Sequence, residues 1–133
     1  MPRQPRTMRF RAAAAPGAVR ALREDLGAFL TDLGVAGDRC FDIKLAVTEA
    51  ANNVLQHAYR ERRAPGLLTV EAHAHRGRVV VTIRDDGSGP APRSDSPGAG
   101  LGMPLMASLS DDVVIRHGDR GGTHVELAFR TAG

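Results

Sequence analysis

Three side chains that can do chemistry follow one another at intervals of four residues: Glu49, Asn53 and His57. Four residues advance an α-helix by about 40° past a full turn, so in a helix the three would share one oblique stripe. A carboxylate there can act as a general base, and a carboxamide oxygen suits a hard cation such as Mg2+. Glu49 alone is better explained as a solvated helix acid, because glutamate is rarely buried unless paired. The case for chemistry therefore depends on what else converges on this stripe.

An apolar stripe runs beside the polar one and should face a protein core. It consists of Ile43, Val47, Ala50, Val54 and Ala58. Glu49 and Asn53 are therefore predicted at the margin of the buried face, where the wall of a pocket would be. The helix that carries them is predicted to run from an N-cap at Asp38 to about Arg60.

An aspartate and a threonine are predicted to face the core at the ends of two strands. In the stretch 78–85 the inward positions are Val79, Val81 and Ile83, and the same parity makes Asp85 inward. The stretch 123–130 begins with an inward Thr123 by the same alternation. A buried aspartate is a strong acceptor for the exocyclic amine of adenine.

Two Gly-x-Gly elements follow Asp85 in a segment rich in glycine and proline. They consist of Gly87 with Gly89, and of Gly98 with Gly100, the second followed by Leu101 and Gly102. Glycines let a backbone approach a ligand closely and point its N–H groups at phosphate oxygens, and a helix beginning near Gly102 adds a favourable dipole for anions. Turn chemistry can explain either element alone, so the specificity is in the combination and its order.

The elements that must position these residues can be deduced from changes in hydrophobic period. We expect a strand at 7–13, helices at 16–35 and 39–60, strands at 67–75 and 78–85, a helix at 104–110, and strands at 112–117 and 123–130. Tight turns between neighbouring strands disfavour a doubly wound parallel sheet. The prediction is an α/β (α+β) two-layer sandwich, with helices on one face of a mixed, mostly antiparallel sheet. His73 and His75 fall on the opposite, polar face, where a solvated surface is a better interpretation than a metal pair.

Composition indicates one soluble domain, residues 1–133, with 1–6 as a flexible arm and 87–101 as a mobile loop. The net charge is +3 and the pI about 10, but 17 of 18 basic residues are scattered arginines, and aromatic residues are only 4%, so no nucleic-acid module is indicated. The single Cys40 excludes a disulfide framework and a multi-cysteine metal site. With no apolar run that could span a bilayer and no signal peptide, a cytoplasmic protein without membrane contact is expected.

These motifs together resemble the GHKL, or Bergerat-fold, ATPase superfamily, and within it the anti-sigma factor serine/threonine kinases of the RsbW and SpoIIAB type. The resemblance covers about residues 7 to 130. Its motifs are an N box from Glu49 to Tyr59, a box at Asp85-Asp-Gly87-Ser-Gly89, a box at Gly98-Ala-Gly100-Leu-Gly102, and a terminal Gly121-Gly122-Thr123.

The resemblance implies ATP and Mg2+ as cofactors and assigns a role to each matching residue. Asp85 would bind adenine, Asn53 would coordinate Mg2+, and Glu49 would take the proton from a serine or threonine hydroxyl. His57 would lie near the phosphates, although a plain helix-end histidine fits equally well. Residues 87–101 would form a lid over the nucleotide, and Arg93 in this lid is a candidate for contact with the γ-phosphate. The remaining pocket and lid positions are Gly87, Gly89, Gly100, Leu101, Gly102 and Thr123.

The function implied is an ATP-dependent protein serine/threonine kinase that phosphorylates an anti-sigma-factor antagonist of the STAS type and otherwise holds a sigma factor. No P-loop and no His-Arg-Asp kinase signature is present, and the chain has one lysine. The 133 residues leave no space for the phosphoacceptor helix pair of a sensor histidine kinase, so we expect the acceptor on another protein. Such proteins often dimerise, and the first strand and helix offer a surface for a homodimer. The alternatives are an ATP-gated binding module without phosphotransfer and a catalytically silent fold; retention of Glu49 favours transfer.

Overall fold

The computed structural model describes residues 6–60, 66–85, 103–117 and 123–131. These residues form five strands and three helices. In chain order they are β1 (Arg6–Ala13), α1 (Pro16–Asp32), α2 (Gly37–Arg60), β2 (Leu67–His75), β3 (Arg78–Asp85), α3 (Met103–Leu109), β4 (Asp112–His117) and β5 (Thr123–Arg130).

The strands form one sheet in the order β1-β2-β3-β5-β4. Each pair of neighbours is antiparallel, so the described strands contain no parallel pair, and the prediction of a mostly antiparallel sheet is confirmed. The hairpins β2–β3 and β4–β5 lie side by side through the pairing of β3 with β5. In this arrangement the C-terminal end of β3 lies beside the start of β5.

The core lies between the helices and one face of the sheet. Alternation along the strands turns Leu68, Val70 and Ile83 inward, and each is fully buried. The helices present stripes at intervals of four residues, such as Leu22, Leu26 and Leu30 of α1, which are also fully buried. Each such side chain contributes about 1.5–3 kcal/mol by leaving water. The two-layer sandwich is therefore confirmed.

The outer face of the sheet is polar. His73 and His75 are exposed, as predicted for a solvated surface. Glu71 is flanked on this face by Arg9 at 3.8 Å and Arg84 at 3.6 Å, measured between side-chain nitrogen and oxygen atoms. None of the described helices is long and apolar enough to cross a membrane.

The start of α2 differs from the prediction. Asp38 lies inside the first turn, because the helix begins at Gly37 and the Cys40 N–H donates to the Ala36 carbonyl at 2.8 Å. The Asp38 carboxylate accepts the Arg39 N–H at 2.9 Å. The prediction of an N-cap at Asp38 was wrong; the acid instead places negative charge in the first turn, where the helix dipole favours it.

Candidate functional site

Glu49 and Asn53 lie on α2 at the edge of its buried face. Both residues are half-buried, whereas Ala46 and Ala50 on the adjoining stripe have no exposed surface. Helix α2 packs against β3, β5 and α3, so its buried face is directed at the middle of the sheet. The half-buried position leaves a carboxylate and a carboxamide within reach of solvent while their helix is held rigidly by the core. His57 lies near the end of the same helix, and its side chain falls outside the description.

Asp85 is the last residue of β3 and is only 6% exposed. It pairs in register with Leu68 of β2, which is fully buried, and it continues the inward parity of Val81 and Ile83. Among the described residues it is the one buried side chain that carries a formal charge. Burial of a carboxylate is costly unless hydrogen-bond donors surround it. A carboxylate at the end of β3 is an acceptor that suits a ligand with N–H donors.

Thr123 begins β5 beside the end of β3. Arg84 of β3 pairs with His124, so the residue that precedes His124 lies next to the residue that follows Arg84. Asp85 and Thr123 are thus neighbours at one end of the paired strands β3 and β5. The two residues come from parts of the chain that are 38 positions apart, since 123 minus 85 is 38.

The Thr123 hydroxyl has no hydrogen-bond partner in the part of the chain that the structure describes, although its oxygen is buried. Leaving a buried hydroxyl unpaired costs about 1–3 kcal/mol. Buried polar atoms are paired in most proteins, and an exception indicates a ligand, an ion or a water. An unpaired hydroxyl beside a buried carboxylate fits a planar ligand edge that offers both donors and acceptors, as the edge of adenine does.

Several predicted site residues lie outside the described residues. They are Gly87, Gly89, Arg93, Gly100, Leu101 and Gly102. The structure places Asp85 of β3 beside Thr123 of β5. Helix α2, which carries Glu49 and Asn53, packs against both of these strands. In the described ranges no three His, Cys, Asp or Glu side chains are grouped as metal ligands.

Arg39 was not singled out from the sequence, although it joins three elements at the opposite end of the sheet from Asp85. Its Nε donates to the Arg130 carbonyl at 2.8 Å, its Nη1 donates to the Leu109 carbonyl at 3.2 Å, and its Nη2 lies 3.0 Å from Asp111 Oδ2. The guanidinium also lies 5.7 Å from the centroid of the Phe129 ring. It therefore ties the start of α2 to the end of α3 and the end of β5. No local spacing could have revealed this, because the partners are distant in sequence.

Comparison with known proteins places most of the chain in one family model. Residues 12–129 match the model of the histidine kinase-like ATPase domain. The chain is 28% identical over 116 residues to the anti-sigma F factor of Clostridium botulinum (strain Alaska E43 / Type E3), covering 79% of this chain and 80% of that protein. It is 31% identical over 120 residues to the serine-protein kinase RsbW of Bacillus mycoides (strain KBAB4), covering 79% and 73% respectively.

Two solved structures share the fold. The structure of the RsbU and RsbW domains of Rv1364c from Mycobacterium tuberculosis superposes with a TM-score of 0.73 at 24% identity, over 94% of this chain. The present chain spans 32% of that longer chain. The SiaB–SiaC complex from Pseudomonas aeruginosa matches with a TM-score of 0.61 at 14% identity, over 92% of this chain and 88% of the other.

Proposed function

Because this chain belongs to the histidine kinase-like ATPase domain family, we propose that it is an ATP-dependent protein serine/threonine kinase and anti-sigma factor. In this proposal it phosphorylates an anti-sigma-factor antagonist of the STAS type and, when not so engaged, holds a sigma factor. Similarity to a serine-protein kinase RsbW and to an anti-sigma F factor supports both halves of the proposal. Since a sigma factor acts with RNA polymerase, the proposed role is cytoplasmic.

The observation that carries the nucleotide site is the buried Thr123 hydroxyl next to Asp85. This hydroxyl has no hydrogen-bond partner among the described residues. We assign the exocyclic amine of adenine to the Asp85 carboxylate and a ring nitrogen, directly or through a water, to the Thr123 hydroxyl. Both groups enter the site from rigid strands, so they are held in place before the ligand arrives. This preorganisation lowers the entropic cost of binding.

The phosphates and the magnesium ion belong, in this proposal, on the side of the site that α2 borders. Asn53 would contribute its amide oxygen to Mg2+, and Gly87, Gly89, Gly100, Leu101 and Gly102 would shape the pocket and the lid over it. His57 and Arg93 are the proposed contacts to the phosphate groups. Bound ATP supplies the γ-phosphoryl group and the magnesium ion neutralises its charge.

Glu49 is the proposed general base. Its half-buried position on α2 leaves the carboxylate accessible to a hydroxyl that a partner protein presents. Glu49 would accept the proton of that serine or threonine as its oxygen bonds to the γ-phosphorus. The bond from that phosphorus to the β–γ bridging oxygen would break, ADP would leave with this oxygen, and the proton would stay on the Glu49 carboxyl until solvent removes it. A positioned base of this kind contributes about 10²–10⁴-fold to a rate.

Calorimetric titration of ATP with Mg2+ tests the site directly. Wild-type protein should bind, and Asp85→Asn should bind at least about tenfold more weakly, because a neutral amide oxygen is a weaker acceptor than a carboxylate and the charge-assisted bond is lost. Asp112→Asn, an exposed acid on β4, is the matched control and should bind like wild type. Equal affinity of wild type and Asp85→Asn would refute the assignment of the adenine site. ATP binding without transfer to any candidate antagonist would favour the ATP-gated binding module.

A further inference from the structure

A second cavity lies at the opposite end of the sheet from Asp85. It has a volume of about 740 Å³ and is lined by the start of β1, the end of α1, the β2–β3 turn and the residue after β5. This volume lies within the range of about 300–1,000 Å³ that is typical of ligand sites. Arg78, at its rim, precedes Asp85 by seven residues of β3, which corresponds to about 23 Å along a strand. The cavity is thus separate from the proposed nucleotide site.

The lining of this cavity is strongly basic. Arg6, Arg76 and Arg78 contribute to it, and Asp32 is the one acid in the lining, so the net formal charge is three minus one, or +2, with His75 neutral. Arg6 is already engaged with Asp32: its Nη2 lies 3.7 Å from Oδ2, and its Nη1 donates to the Asp32 carbonyl at 3.4 Å. Within the described ranges Arg76 and Arg78 have no ion pair. Two guanidinium groups are therefore available to an anion.

The end of α1 does not cancel this positive charge. The carbonyl oxygens of its last turn are occupied, because the Gly34 N–H donates to Thr31 at 2.9 Å and the Val35 N–H donates to Leu30 at 3.1 Å. Capping of this kind satisfies the negative end of a helix. Leu33 and Val35, which follow the helix, instead give the cavity an apolar wall. The cavity therefore combines free cations with an apolar surface.

The backbone at Arg76 is in a conformation that arginine rarely adopts. Arg76 has φ of 52° and Gly77 has φ of 76°, in a two-residue turn between the paired His75 and Arg78. Turns with positive φ at both central residues favour Asn, Asp or Gly at the first of them. Strained residues are enriched at functional sites. A strained arginine at the rim of a basic cavity favours a use for its charge.

We propose that this cavity binds an acidic peptide segment of a partner protein. Arg76 and Arg78 pair with its carboxylates, since a guanidinium matches a carboxylate in a bidentate geometry. Leu33 and Val35 receive an apolar side chain of the same segment. A nucleic acid is a poorer occupant, because no Phe, Tyr or Trp side chain lines the cavity for base stacking. The site is independent of nucleotide binding and adds a second contact surface to the protein.

The probe is a fluorescein-labelled peptide, acetyl-Glu-Glu-Leu-Glu-Glu-Leu, with a Gln-for-Glu peptide of equal length as its control. Fluorescence anisotropy at about 50 mM salt, where screening is weak, should show wild-type binding of the acidic peptide and at least about tenfold weaker binding of the control peptide. Amide shifts of Gly34, Gly77 and Thr131 in NMR spectra should change during the titration. Tighter binding of a single-stranded oligonucleotide than of the acidic peptide would overturn the assignment to a peptide.

The decisive variant is Arg76→Asn, because it removes the charge and suits the turn. Its affinity for the acidic peptide should fall at least about threefold, and that of the double variant Arg76→Asn/Arg78→Gln at least about tenfold. The melting temperature of Arg76→Asn should nevertheless rise by about 2–6 °C, so that loss of binding cannot come from unfolding. Arg20→Gln, on the exposed side of α1, is the control and should bind the peptide like wild type. Unchanged affinity in the double variant would overturn the proposal, whereas ATP affinity, measured in the same samples, reports separately on the nucleotide site.

Discussion

At the scale of single residues, Asp85 and Thr123 form the part of the site that the structure specifies best. Their strands are paired through Arg84 and His124, which fixes the spacing of the two side chains through the backbone. One of them is a buried carboxylate, and the other bears a buried hydroxyl that lacks a partner in the described part of the chain. A ligand that hydrogen-bonds to the Thr123 hydroxyl would offset the cost of burying that hydroxyl without a partner.

Thr123→Val should separate the stability of the protein from its affinity for ATP. The valine has nearly the same shape and removes the unpaired hydroxyl, so the free energy of unfolding without nucleotide should be unchanged or about 1 kcal/mol higher. The affinity for ATP should fall about 3–10-fold, because a ligand hydrogen bond is lost. Urea denaturation and calorimetry measure the two quantities. Thr123→Ser keeps the hydroxyl and should retain most of the affinity; an equal loss in both variants would argue against a hydrogen bond from Thr123.

The sequence predicts the orientation of these residues but not the state of their polar atoms. Strict alternation in β3, with Val79, Val81 and Ile83 inward, leaves only one face for Asp85, and burial of that residue follows. Whether the Thr123 oxygen finds a partner depends on atoms contributed by other strands and helices. Such contacts are decided by three-dimensional packing, so they cannot be deduced from local periodicity.

At the scale of elements, Arg39 connects the start of α2, the helix of Glu49 and Asn53, to the ends of α3 and β5. It reaches α3 through Leu109, β5 through Arg130, and the loop between α3 and β4 through Asp111. The Asp111 carboxylate also accepts the Arg130 N–H. Helix α3 follows the proposed lid segment directly in the chain. The contacts of Arg39 therefore hold the C-terminal end of α3, whereas the proposed lid precedes the N-terminal end of this helix.

Arg39→Ala should lower the free energy of unfolding by about 2–3 kcal/mol, because it leaves two backbone carbonyls and Asp111 without their charged partner. The side chain is 26% exposed, so water compensates only part of this loss. Arg39→Lys should recover less than half of it, since an ammonium cannot reproduce the guanidinium fork. Urea denaturation measures both effects.

The control for Arg39 is Arg23→Ala on α1, an exposed position that should change the free energy of unfolding by less than about 0.5 kcal/mol. A similarly small effect of Arg39→Ala would mean that the contacts of Arg39 contribute little to stability. In that case the packing of α3 against α2 would have to depend on apolar contacts such as that of Met106, which is fully buried.

Element boundaries were predictable where the hydrophobic period is clear and glycine or proline follows. The strands β2 and β3 match the prediction because alternation is regular on both sides of the Arg76-Gly77 turn. The start of α2 did not match, because Gly37 and Asp38 both favour a helix start and only the hydrogen bond from Cys40 to Ala36 decides between them. The pairing of β3 with β5 is not local and could not be deduced from period alone.

At the scale of the whole molecule, the protein has two chemically different ends. Asp85 and Thr123 lie at one end of the strands, and the basic cavity with Arg76 and Arg78 lies at the other end. Among the described residues a hydrophobic core extends from Phe10 of β1 to Phe129 of β5 and holds both ends in a fixed relation. The pI near 10 gave no hint of this division, because composition does not report where arginines meet.

Transfer of labelled γ-phosphate to a candidate antagonist protein, with wild type and Glu49→Gln compared side by side, tests the central claim most directly. Wild type should phosphorylate a serine or threonine of the antagonist. Glu49→Gln should bind ATP with unchanged affinity, yet transfer phosphate about 10²–10⁴-fold more slowly, because the amide cannot accept the proton. Transfer by Glu49→Gln at the wild-type rate would contradict the account, since the proposed base would then have no part in the reaction.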